Sequence, residues 1–412
     1  MRTRLIAGAL AFFLTATTAL AATISLEGIT DKEPVSYQRG EAITFKLQLF
    51  EDGKPLAGKT LKWVRTGDDG KTAKGEGVTS ATGPIEVATS LDKPGFVRLE
   101  VTAFNPDGTL LKGVQKFDGG AGVEPGKLEG YAEPANFDAF WKAQKERLAK
   151  VPLKASLTEV KSPNPAIQIF DVKIDCVGKP VSGYFSRPKD ARDKSLPAQV
   201  SFHGYGVRSA NPPGWGGAIV LDVNAHGIEN GHPAEYYRAL QEGVLKGYAF
   251  NKEENAKPET AYFNGMMLRV MRALEFIKSR PEWDGKTLIV NGGSQGGLQS
   301  ITAAALDPDV TRCNAYKPWC CDLGGVKLGR LCGWRPEWAE GLAYYDIVNM
   351  AKRIQCETFV TAGLGDYVCP PSGVSLLYNN IRGPKTIEYI QGSTHGYNPP
   401  NPKTQVLRNP RP

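Results

Sequence analysis

Leu288-Ile289-Val290-Asn291-Gly292-Gly293-Ser294-Gln295-Gly296-Gly297-Leu298 is the stretch on which the fold turns. Its apolar triplet, Leu288 to Val290, reads as a short buried strand. Gly292 to Gly296 then spells Gly-x-Ser-x-Gly, and Gly297 onward, through a run of alanines, reads as a helix. A strand that turns at once into a helix holds the intervening serine on a tight, strained bend. Only very small neighbours let such a backbone close, so the glycines carry a steric reason. Ser294 is therefore the candidate nucleophile.

A serine hydroxyl needs a neighbouring base to take its proton. The chain has four histidines, His203, His226, His232 and His395, and only His395 follows Ser294. It comes a few residues after the apolar stretch Thr386 to Ile390, where a loop-borne base is expected. The acid that orients the imidazole should end an earlier strand. Asp366 does so, just past Thr358 to Ala362. Its rivals are Asp346, which reads as a helix cap, and Asp322, in a loop with no strand leading to it. Developing negative charge on a substrate oxygen calls for backbone N–H donors. The first is expected from Gln295, directly after the nucleophile. The second is expected from Tyr205, in Phe202-His203-Gly204-Tyr205 after the strand Ala198 to Phe202. His203 is expected to be structural, and His226 and His232 to lie in a surface loop. No further ligands accompany these two, no Cys-x-x-Cys pair is present and no cofactor motif is seen, so neither metal nor cofactor is expected.

Outward from the elbow, strands and helices alternate. Asn136 reads as an N-cap ahead of Phe137, Phe140, Trp141 and Leu148. Met267, Leu268, Val270, Met271, Leu274 and Ile277 form a helical stripe that ends at Pro281. This alternation predicts an α/β hydrolase over residues 136–412, a mostly parallel sheet with helices on both faces. Residues 22–120 read differently. Ile43, Phe45, Leu47 and Leu49 alternate with polar residues, as do Val97, Leu99, Val101 and Ala103, and Gly/Pro/Asn/Asp turns close both runs. A small all-β, immunoglobulin-like sandwich is expected there, serving as a spacer or packing partner. The Gly/Pro-rich residues 121–135 read as a linker. Arg2 and Arg4, the apolar run from Leu5 and Ala19-Leu20-Ala21 make residues 1–21 a signal peptide, so an exported protein, periplasmic or extracellular, is expected. Seven cysteines, an odd number, leave at least one unpaired in such a chain. The formal charge of +7 comes from scattered basic residues, not runs. That pattern gives no nucleic-acid or membrane surface.

These motifs together resemble the acetyl xylan esterase / cephalosporin C deacetylase family, carbohydrate esterase family seven, over roughly residues 128 to 412. Glu133 to Trp141 resembles its opening helix, Phe202 to Tyr205 its oxyanion loop, and Gly292 to Gly297 its elbow. Cys321-Asp322 and Gly365-Asp366 with Cys369-Pro370-Pro371 resemble two further segments. The resemblance implies removal of acetyl groups from small or sugar-bound esters without a metal. It places the triad on Ser294, Asp366 and His395 and the oxyanion donors on Tyr205 and Gln295. It also implies a homo-oligomer, since the family often forms a ring-shaped hexamer. Two other readings stay open: a feruloyl esterase or serine peptidase on the same scaffold, and a non-catalytic carbohydrate-binding protein.

Overall fold

The computed structural model describes residues 23–331 and 333–409; the expected signal peptide lies outside the described residues. The described residues open with eight strands: β1 (Ile24–Thr30), β2 (Ile43–Glu51), β3 (Lys54–Pro55), β4 (Thr60–Gly67), β5 (Ala73–Val78), β6 (Ile85–Thr89), β7 (Gly95–Phe104) and β8 (Phe117–Val123). They form two four-stranded antiparallel sheets. One joins β1, β3 and β6 to β2; the other has the order β5-β4-β7-β8. The alternation seen in the sequence is the reason. Ile43, Phe45, Leu47 and Leu49 of β2 and Val97, Leu99, Val101 and Ala103 of β7 all point into one shared core, while their polar neighbours stay half-exposed.

The glycine-rich stretch expected to start a linker is partly strand. β8 runs to Val123, three residues past the expected boundary, and is buried along its whole length. Its glycines serve close packing. A Cβ on Gly120 would meet the Val97 oxygen at 2.6 Å on one side and the Leu364 oxygen at 2.9 Å on the other. β8 thus lies between its own sheet and the second half of the chain.

That half contains helix α1 (Phe137–Ala149), then β9 (Ala155–Val160), β10 (Ile167–Ile174), β11 (Val181–Pro188), β12 (Leu196–Phe202) and β13 (Ile219–Asn224). Helices α2 (Ala234–Glu242) and α3 (Tyr262–Lys278) precede β14 (Trp283–Gly293) and α4 (Gln295–Leu306). The chain ends with β15 (Arg312–Tyr316), α5 (Ile347–Ala351), β16 (Glu357–Gly363), α6 (Pro371–Asn380), β17 (Lys385–Ile390) and β18 (Thr404–Asn409). Ten strands make one sheet in the order β18-β17-β16-β15-β14-β12-β13-β11-β10-β9. The six from β17 to β13 run parallel, with antiparallel strands at both edges. This is the mixed sheet of an α/β hydrolase.

Helices were expected on both faces, and here the structure differs. The helices against the sheet form one layer, α3 on α4, α4 on α5, α5 on α6. They cover Val200, Leu221, Val290 and Ala315. The alternate side chains, among them Gln199, Ser201, Asn291 and Asn314, are only half-buried. Local chemistry explains the difference. Pro212-Pro213, Gly214, Gly216 and Gly217 prevent a helix between β12 and β13, and Pro399, Pro400 and Pro402 prevent one after His395. Asn136 stands at the start of α1 without capping it through its side chain; its amide oxygen instead accepts the Tyr344 hydroxyl at 2.5 Å.

Candidate active site

Ser294 sits between β14 and α4 with φ 55° and ψ −118°, a conformation an L-residue adopts only under constraint. The constraint is visible. The Ser294 N–H donates to the Tyr316 oxygen at the end of β15, and its carbonyl accepts from the Trp319 and Leu298 N–H groups, at 2.9 and 3.0 Å. The bend presses against the end of β12. A Cβ on Gly296 would fall 2.1 Å from the Phe202 oxygen, and one on Gly292 would fall 2.4 Å from the Gly296 carbonyl carbon. No other residue fits these two places.

Three parallel strands deliver the partners. His395, in the loop after β17, places Nε2 3.0 Å from the Ser294 hydroxyl oxygen. Its Nδ1 lies 2.9 Å from Asp366 Oδ2, beyond the end of β16. A carboxylate only accepts, so Nδ1 carries the proton and Nε2 accepts from the serine. Asp366 is fully buried, and its other oxygen accepts the Val368 and Cys369 N–H groups. The His395 loop is closed by Thr394 N–H to the Tyr397 oxygen and by Ser393 to Asn398. Asp322 is committed elsewhere, to Arg330 at 2.6 and 2.8 Å. Asp346 caps α5 through the Val348 N–H, as its sequence context suggests. Cys369 Sγ lies within 4.8 Å of the Asp366 and His395 donor atoms. Burial pushes that thiol well up, so it is a neutral packing group.

Gln295 opens α4, so its N–H is one of the first-turn donors that have no partner within a helix and that favour negative charge. The loop carrying Tyr205 runs alongside: a Cβ on Gly204 would lie 3.9 Å from the Ser294 Cβ. Tyr248, which sequence reasoning missed, joins the two. Its hydroxyl accepts the Gly206 N–H at 2.9 Å and donates to Gln295 Oε1 at 2.8 Å, and its ring stacks on Tyr205 at 4.2 Å. No motif surrounds Tyr248, so nothing in the sequence marks it.

His203 is structural, as expected. It is buried, accepts the Ala225 N–H on Nε2, and burial lowers its pKa to about 4. His226 is not in a surface loop. It is fully buried between the Tyr262 hydroxyl, 2.7 Å away, and the Gly206 oxygen, 3.0 Å away, and burial lowers its pKa to about 3. It therefore braces the Tyr205 loop from behind. His232 stacks on Tyr236. Among the described residues Cys176, Cys313, Cys320, Cys321, Cys356 and Cys369 are free thiols.

A parallel sheet with a strained serine at the strand–helix elbow and a histidine–carboxylate pair on later strand ends defines an α/β hydrolase. The family model for acetyl xylan esterase (AXE1) matches residues 128–327 and 336–409. The chain belongs to that family, and it is a carboxylic ester hydrolase. It is 31% identical over 322 residues to acetyl esterase Axe7A of Xylanibacter ruminicola, covering 73% of this chain and 70% of that one. Among solved structures it resembles the acetyl xylan esterase of Paenibacillus sp. R4 at 29% identity and TM-score 0.56, over 65% of this chain and 92% of that one. Acetyl xylan esterase 1 of Thermoanaerobacterium sp. JW/SL YS485, at 23% identity and TM-score 0.54, covers 66% of this chain and 92% of its own and shares the fold.

Proposed function

We propose that this protein is an exported serine esterase that removes acetyl groups from acetylated carbohydrates such as xylan through an acyl-enzyme. The observation that carries the mechanism is the continuous hydrogen-bonded chain Ser294–His395–Asp366. His395 takes the serine proton as Ser294 attacks the ester carbonyl. The Tyr205 and Gln295 N–H groups hold the oxyanion, and Asp366 holds the imidazolium. His395 then returns the proton to the leaving alcohol, and water, activated the same way, frees acetate. Support for the acetylated sugar comes from the family and from the names of its members. Support for export comes from the basic, apolar and small-residue pattern of residues 1–21.

The test is the initial rate on p-nitrophenyl acetate and p-nitrophenyl octanoate, with acetate release from acetylated xylan, for wild type and Ser294→Ala. Fast acetate turnover, slow octanoate turnover and a folded mutant with no activity are expected. A Ser294→Ala enzyme retaining more than a few per cent of the wild-type rate removes the serine mechanism.

A further inference from the structure

Trp334 is 44% exposed although it stands in a cluster of aromatic rings beside the nucleophile. One of its faces is taken: it stacks on Trp319, centroids 5.3 Å apart and planes 23° apart. Tyr205 meets it edge-on at 4.7 Å, and Phe250 lies at 4.7 Å. The Trp319 and Tyr205 contacts lead towards Ser294. The Trp319 N–H is bonded to the Ser294 carbonyl, and Tyr205 is the expected oxyanion donor. The Trp334 ring, partly open to solvent, thus packs on two residues that belong to the surroundings of Ser294.

The backbone that carries this ring is held from three sides. The Leu331 N–H donates to Asp68 Oδ1 at 3.0 Å, and Asp68, in the β-sandwich, is fixed in turn by the Phe96 N–H at 2.8 Å. Arg330 and Arg335 both reach Asp322, the former through its carboxylate and the latter through its backbone oxygen at 2.6 Å. Gly333 lies against the acid loop, where a Cβ would fall 2.2 Å from the Val368 oxygen. The Trp334 carbonyl accepts the Trp319 indole N–H at 2.7 Å. A ring carried on so constrained a backbone is pre-organised, and it needs little ordering to bind. Residues 328–335 fall between the two parts of the family match, and Asp68 precedes it.

We infer that Trp334 is a sugar-binding platform that selects the alcohol side of the ester, and that the β-sandwich positions it through Asp68. The chemistry fits a pyranose ring, whose C–H faces pack against an open indole face while its hydroxyl groups stay in water. This deepens the proposed function and rests on it.

The experiment measures kcat and KM of the full chain on acetylated xylotriose and on p-nitrophenyl acetate, for wild type, Trp334→Ala, Trp334→Phe and Asp68→Ala. Binding of acetylated xylotriose to Ser294→Ala, with and without Trp334→Ala, is followed by titration calorimetry. Trp334→Ala should raise KM for the acetylated sugar and weaken its binding by roughly fivefold to tenfold. The loss on p-nitrophenyl acetate, which carries no sugar, should be clearly smaller, so that the preference for the acetylated sugar falls. Trp334→Phe should recover part of the loss, and Asp68→Ala should reproduce it in the same direction, with melting curves confirming that both variants fold. Equal losses on both substrates, or no loss on either, overturn the platform. A sugar KM unmoved by a folded Asp68→Ala overturns the positioning by the sandwich. A wild type that cleaves p-nitrophenyl acetate but leaves acetylated xylotriose intact overturns the sugar reading itself.

Discussion

Gly365 is pressed against the backbone of Asp118: a Cβ at Gly365 would fall 1.8 Å from the Asp118 carbonyl oxygen. Asp118 belongs to β8 of the sandwich, and Gly365 is the residue before Asp366. The N-terminal sandwich therefore supports the Asp366 loop directly. Arg98 strengthens this seam, bound to Asp118 by two hydrogen bonds of 2.9 and 2.6 Å and lying over the Tyr367 ring at 4.4 Å.

Gly365→Ala should therefore displace Asp366 by forcing its loop away from β8. We expect kcat on p-nitrophenyl acetate to fall by about 10²-fold, as for an ångström-scale misplacement of a catalytic group, with KM little changed and a lower melting temperature. Wild-type kcat in the alanine variant would show that the seam yields without moving the acid.

Asp366→Asn tests the acid itself. An amide keeps the volume but stabilises the wrong imidazole tautomer, so kcat should drop by about 10⁴-fold while the fold persists. A loss below tenfold would mean that another group orients His395.

Gln391 tests the seam for stability alone. Its amide oxygen accepts the Gly120 N–H and its amide nitrogen donates to the Gly120 oxygen, both at 2.9 Å in a buried place. Gln391→Ala leaves both backbone groups unpaired, at about 1–3 kcal/mol each. Urea unfolding should show that loss, and Gln391→Glu should be at least as costly because it buries a charge.

His226 makes a pH prediction. Its folded pKa, about 3, lies below the ordinary 6.5, because burial disfavours the charged ring. The unfolded chain therefore takes up a proton first as pH falls. The stability tied to neutral His226 is complete above 6.5 and is lost as pH falls towards 3. His226→Gln removes this dependence. The stability gap between wild type and mutant in urea should be widest at pH 7.5 and shrink towards pH 4; a constant gap would contradict the assignment.

The parts of the site legible in the sequence are those governed by short-range rules. Gly292, Ser294 and Gly296 were readable because a strand-to-helix bend excludes larger neighbours by sterics alone. His395 and Asp366 were readable because each follows an apolar strand in the order such a sheet requires. The parts that were not legible depend on contacts across long separations. Tyr248 reaches Gln295 over 47 residues, and Asp68 reaches Leu331 over 263. The Gly/Pro-rich stretch misled for a related reason. Glycine marks flexible linkers and backbones packed without side chains alike, and only the neighbours of β8 distinguish them.

By itself, then, the amino-acid sequence determined the alternation of β2 and β7, the apolar stripe of α3, the elbow, and the order of Ser294, Asp366 and His395 along the chain, all set by local sterics and hydrophobic patterning. The tertiary structure alone decided that the helices share one face, that His226 is buried behind the Tyr205 loop, and that the sandwich packs on Gly365 and bonds to Leu331. Those outcomes depend on which surfaces exclude water together, and residues hundreds of positions apart decide that jointly.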